Sequence, residues 1–153
     1  MSVGPNGFAF RVPGHPDFVK MLMHTVLPRA AFDGWEYYDR LIDSGTGALW
    51  CIVGYGFCLF SVRYFGSLAV RELVFHASQG VSMVHPQRMR LLFDLARAEK
   101  CDGIFVHTPN KRIQRWLLRW GFMELVTPGD FRWVFKDDGL RRNGMVEPEM
   151  AGA

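Results

Sequence analysis

The stretch "VFHASQGVSMVHPQRMRLLFDLARAEKCDGIFVHTPNKRIQRWLLRWGF", Val74 to Phe122, decides the fold. It reads as the end of a strand, a helix, a strand and a second helix. Pro86 stands where a first helical residue belongs, and its missing N–H is no loss there because that group has no intrahelical partner. The helix runs from His85 to Lys100, with Met89, Leu92, Phe93 and Ala96 on its core face. "GIFVH", Gly103 to His107, is a short continuous apolar strand of the kind buried in a parallel pair. Asn110 caps the next helix, in which Ile113, Trp116, Leu117 and Trp120 recur at i, i+3, i+4 and i+7. Gly121 ends that helix as a residue free to turn left-handed. A strand feeding a helix N-terminus is a common phosphate cradle, but such cradles carry glycines, and none lies between Val81 and Lys100.

Upstream, "FAFRV" (Phe8–Val12) alternates like a short strand. Two helical segments follow. Asp17–Leu27 is stopped by Pro28, and "FDGWEYYDRLID" carries Asp33 as its cap and Trp35, Tyr38 and Ile42 on one side. Three strands then come in a row, Ala48–Val53, Phe57–Tyr64 and Leu68–Ala77, separated by the hairpin-like "GYG" and "FGS". Downstream, "FMELVT" and "FRWVFK" form a hairpin across "PGD". The order is β-α-α-β-β-β-α-β-α-β-β, with no internal repeat: one domain over residues 1–136. Residues 137–153 are rich in Gly, Pro and charge and read as a loose tail.

The chain has 153 residues, of which 49% are hydrophobic and 22% charged, so it can bury a real core and is not a disordered chain. A net charge of +3 permits an acidic partner without demanding one. "MSVGPNGFAF" lacks the basic start and apolar run of a signal peptide. The longest uncharged stretch, Ala48–Val62, falls short of the roughly 18 apolar residues of a membrane span. A soluble, cytoplasmic protein is expected. Three cysteines, Cys51, Cys58 and Cys101, with no CxxC, argue against a disulfide framework or a zinc knuckle. A two-residue turn at Gly54-Tyr55 would set Cys51 opposite Cys58, whereas one at Tyr55-Gly56 would not.

This order, with the quoted stretch, resembles the GNAT family of N-acetyltransferases over Phe8–Lys136. The most specific match is Asn110, its helix, and Gly121-Phe122 entering the next strand; Leu91-Leu92 fits as well. The resemblance implies an α+β fold with a mixed, mostly antiparallel sheet. Its fourth and fifth strands, Leu68–Ala77 and Gly103–His107, run parallel and splay apart. Acetyl-CoA then inserts between them, with its pyrophosphate on the N-terminus of the helix that joins them, where unpaired N–H groups favour an anion. The candidate cofactor-binding residues are Met83, Val84, Arg88 and Asn110.

The chain departs from the family in two places. The family's loop has the form Arg/Gln-x-x-Gly-x-Gly/Ala, and the corresponding "MVHPQR", Met83–Arg88, has no glycine. Many members place a Tyr seven residues after the Asn as general acid to the leaving thiolate. Leu117 stands there and cannot donate a proton. Both losses together resemble small GNAT-like proteins of short-tailed phages, including an internal virion protein, which also show a Gln like Gln79 and an Arg-aromatic-Leu run like Arg115-Trp116-Leu117.

Glu72, in the fourth strand, is the candidate catalytic residue, a base for an amine. Its plainer reading is a polar residue on the exposed face of "AVRELVF", with Arg71 pointing the other way. His76 and His107 end the two parallel strands and either line a cleft or serve structure. No His/Cys cluster at ligand spacing is present, so no metal is expected. Lys111, Arg112, Arg115 and Arg119 form a basic face, for CoA phosphates, nucleic acid, an acidic protein or simply solvent. Trp35, Tyr37 and Tyr38 could grip a substrate or a partner.

Two functions follow. One is a degenerate GNAT-fold protein, phage-encoded and virion-associated, acting through a virion or host protein partner, with acetyl-CoA binding weakened or lost. The other is an active acetyl-CoA-dependent N-acetyltransferase with a remodelled loop, acting on a small-molecule amine or a protein. Neither calls for nucleic acid.

Overall fold

The computed structural model describes residues 2–3, 9–27, 34–54, 56–65, 70–79 and 86–135. The elements are β1 (Ser2–Val3), β2 (Ala9–Arg11), α1 (Pro16–Val26), α2 (Gly34–Ser44), β3 (Gly47–Ile52), β4 (Gly56–Phe65), β5 (Val70–Gln79), α3 (Pro86–Ala98), β6 (Gly103–His107), α4 (Lys111–Arg119), β7 (Met123–Glu124) and β8 (Asp130–Val134). The expected order is present, with β1 added in front, so the family's fourth and fifth strands are β5 and β6 here. Asp33, expected as the cap of α2, and the tail of residues 137–153 lie outside the described residues.

Two compact units divide the chain: residues 1–63 with 75–82, and residues 64–74 with 83–153. In the first, β2 pairs antiparallel with β1 and β3, and β3 with β4. The helices α1 and α2 cover this sheet. Pro16 opens α1 at its first position, and the His15 side chain accepts the Asp17 N–H at 3.1 Å as a cap. Apolar residues at helical spacing then enter one core: Val19, Met23 and Leu27 from α1 and its end, Tyr38 and Ile42 from α2, Leu49 and Leu59 from the strands. The β3–β4 hairpin closes at Ile52↔Gly56. Its loop is one residue longer than either two-residue turn allows, and Gly54 takes a φ of 84° there. Cys51 therefore faces Phe57, and Trp50 faces Cys58. Neighbouring register positions point to opposite faces, so the two thiols do not meet, and both are free.

In the second unit, β8 pairs antiparallel with both β6 and β7. The first half of β5 neighbours β6 on the other side, and α3 joins these two strands as the crossover of a parallel pair. Asp102 ties their beginnings together. Its carboxylate accepts the Arg71 N–H at 2.9 Å, and its own N–H donates to the Arg71 carbonyl at 2.6 Å. Phe93 of α3 centres the core, with its ring 5.3 Å from Trp133, 5.7 Å from Trp120 and 5.8 Å from Phe135. Gly121 terminates α4 at a φ of 99°, as its position predicts. No described helix is long and apolar enough to cross a membrane.

Candidate functional site

Glu72 is in β5, and its burial overturns the exposed-face reading: the residue is 0% exposed. Leu73 and Val74 beside it are buried too. Both faces of this strand are therefore covered, and a carboxylate in it needs a cation. Arg132 of β8 supplies one. Its Nε donates to Glu72 Oε2 at 2.5 Å and its Nη2 to Oε1 at 3.4 Å. The two strands are not neighbours; β6 lies between them. Phe105 of β6 is the register partner of Arg132, and the guanidinium carbon lies 5.8 Å from its ring centroid. The arginine thus reaches over an aromatic ring to a carboxylate two strands away.

Met83 and Val84 lie outside the described residues. Arg88 is the third residue of α3 and half-buried. Asn110 is the cap expected from its place in the sequence: its Oδ1 accepts the N–H groups of Arg112 at 2.9 Å and Ile113 at 3.2 Å. Thr108 supports it by accepting the Asn110 N–H at 3.1 Å. Leu117 is fully buried, a core residue of α4.

In the first unit, His76 Nε2 lies 2.6 Å from Ser61 Oγ, a partner that spacing alone did not suggest. The rings of Tyr37 and Tyr38 meet the imidazole edge-on at 5.7 Å and 5.9 Å. Burial among these groups, helped by the positive charge of Arg63, pushes the His76 pKa down to about 4, so the ring is neutral at pH 7. Trp35 stacks instead on His24, with centroids 4.2 Å apart, and His24 Nε2 contacts Asp39 Oδ1 at 2.7 Å. His107, in the second unit, meets Asp130 through Nδ1 at 2.5 Å. Such a carboxylate fixes the ring's orientation and tautomer. Among the described residues no group of three His, Cys, Asp or Glu could hold a metal ion.

A comparison with solved structures places this arrangement. An acetyltransferase of the GNAT family from Listeria monocytogenes superposes with a TM-score of 0.56 at 10% identity, over 88% of this chain and 100% of that one. The chain has the GNAT acetyltransferase fold. A GNAT-family acetyltransferase from Streptococcus agalactiae gives 0.53 at 14% identity, over 89% and 100%, and an agmatine N-acetyltransferase gives 0.50 at 11%, over 84% and 100%. No protein-family model matches the sequence, and no curated protein does. At these identities the likeness is one of fold.

Proposed function

We propose that this protein keeps the acetyltransferase fold without its acyl-transfer machinery and works as a protein-interaction component. The observation that carries this reading is the state of Glu72. A base must reach the proton it takes. Glu72 is wholly buried, and both of its oxygens accept from one guanidinium. Its environment is that of a structural ion pair.

Three further residues support the reading. Pro86 begins α3, and the Met83–Arg88 stretch that leads into this helix has no glycine to let a pyrophosphate approach the backbone. The Asn110 carboxamide oxygen is spent on the cap of α4. Leu117 offers no proton and is buried in the core. These residues support the reading in which an acyl-CoA is not held in the family's manner. The finer assignment, a phage-encoded and virion-associated protein in a host cell, rests on Gln79, on Arg115-Trp116-Leu117 and on the glycine-free Met83–Arg88.

One observation favours the alternative, an N-acetyltransferase acting on a small-molecule amine or a protein. The His107–Asp130 pair orients an imidazole at the end of β6, and an imidazole so held is a competent base.

A thermal-shift titration with acetyl-CoA separates the two. A ligand at about 100 times its Kd adds roughly 2.7 kcal/mol of apparent stability. No shift at millimolar acetyl-CoA is expected, and a clear rise overturns the proposal. Purified virions of the source phage should contain the protein; its absence from them overturns that part of the assignment.

A further inference from the structure

Several charged residues of the helices and strands are matched by neighbours. Lys20 bridges Asp17 and Asp43, Arg97 bridges Asp94, and Arg132 bridges Glu72. The helix α4 breaks this pattern. Lys111, Arg112, Arg115 and Arg119 are all exposed, α4 contains no acidic residue, and among the described residues none of the four makes an ion pair. Two of them, Lys111 and Arg112, stand in the first turn, at the positive end of the helix, where cations are disfavoured. The whole chain has 18 Lys and Arg against 15 Asp and Glu; without these four the balance is 14 against 15. This nine-residue helix alone carries four positive charges and no negative one.

The surface is also ordered. At helical spacing Leu118, Lys111, Arg115, Arg119 and Arg112 succeed one another around an arc of about 120°. Leu118 is 49% exposed at one margin of that arc. At the other, the Arg119 guanidinium lies 5.8 Å from the ring of the half-buried Trp116. A cationic stripe is therefore edged on both sides by apolar groups. Arginine, the majority cation here, binds carboxylates through a two-pronged fork. Arginine and tryptophan are also enriched at protein interfaces. A phosphodiester backbone would match the arginines and leave Leu118 without a contact. An acidic helix with apolar residues beside its carboxylates would match both.

We infer that the exposed face of α4 docks an acidic, amphipathic protein segment, its carboxylates on Arg112, Arg115 and Arg119 and an apolar side chain on Leu118. This rests on the reading of the protein as an interaction component and names the chemistry of its partner.

The test uses the full chain and two fluorescent probes: a short helical peptide with Glu along one side and Leu beside it, and a single-stranded oligonucleotide. Anisotropy titrations should show the peptide binding, more weakly as salt rises. The triple variant R112E/R115E/R119E should lose at least about tenfold in affinity. Leu118→Ser should lose affinity for the peptide while keeping its salt dependence. All four side chains are exposed, so the thermal midpoint of each variant should stay near that of the parent. The inference is overturned if the peptide does not bind, if the triple variant binds it equally well, or if the oligonucleotide binds more tightly through the same arginines. Uptake of acetyl-CoA alongside peptide binding would overturn the loss of the acyl-transfer machinery and leave the docking surface standing.

Discussion

Arg132 crosses over Phe105 to hold both carboxylate oxygens of Glu72, which is itself 0% exposed. Two charges in the interior have taken the place of apolar packing, and each depends on the other. Removing one partner leaves a buried charge uncompensated, which costs about 3–5 kcal/mol, whereas replacing both with apolar residues of similar volume is often neutral. Glu72→Leu and Arg132→Met should each lower stability by that order in urea denaturation. The double variant should recover most of the loss. Costs that simply add would show that the two residues act independently.

His76 makes stability depend on acid. Its pKa is about 4 in the folded protein and about 6.5 when the chain is unfolded. Between those values the unfolded state binds a proton that the folded state does not, so stability rises with pH across this window. The contribution is complete above about pH 6.5 and is lost as pH falls toward 4, a difference of roughly 3 kcal/mol. Denaturation curves over this range should show the slope in the parent and a shallower one in His76→Asn. Equal slopes in the two proteins would contradict the assignment.

How far the sequence disclosed these features depended on the kind of pattern. Helical periodicity is local, so Met89 and Phe93 on α3 and Leu117 on α4 were legible as core before any contact was known, and all three are fully buried. Gly121, with φ 99°, was legible because one residue type suits that conformation. The Cys51–Cys58 question was different. It turned on one residue of loop length, and the hairpin resolved it with a register that neither two-residue turn gives. Glu72 was misread because alternation along "AVRELVF" assigns it a solvent face, whereas strands near a parallel pair are covered on both sides. A signal was present all the same. Glu72 and Arg132 are opposite charges, each beside apolar residues in its strand, and buried charges come in pairs. The Ser61–His76 contact had no such sign, since it joins two strands whose register the sequence leaves open.

The thiols offer a chemical check on the register. Burial raises the Cys101 pKa to about 11 and raises that of Cys51 as well. The thiolate is the reactive form, so at neutral pH little of it is present at either site. Cys58 is buried. A thiol reagent should label the folded protein slowly and modify three cysteines at once in denaturant. Mass spectrometry without reductant should find three free thiols. A Cys51–Cys58 disulfide would require a different β3–β4 register.

Asn110 stands where the family's signature places an Asn, and two roles compete for it. As a helix cap its Oδ1 satisfies the Arg112 and Ile113 N–H groups. Asn110→Ala should then cost about 1 kcal/mol, read as a lower thermal midpoint. Asn110→Asp retains an acceptor oxygen, and its charge suits the helix N-terminus, so it should keep or exceed the parent's stability. A residue kept for an acyl-CoA would behave otherwise: both variants would lose whatever stabilisation acetyl-CoA gives, and Asp would fare worst because its charge repels the phosphates. Melting the parent and both variants with and without acetyl-CoA distinguishes the roles. The expected outcome is that the order Asp at or above Asn, with Ala lowest, is the same in both conditions.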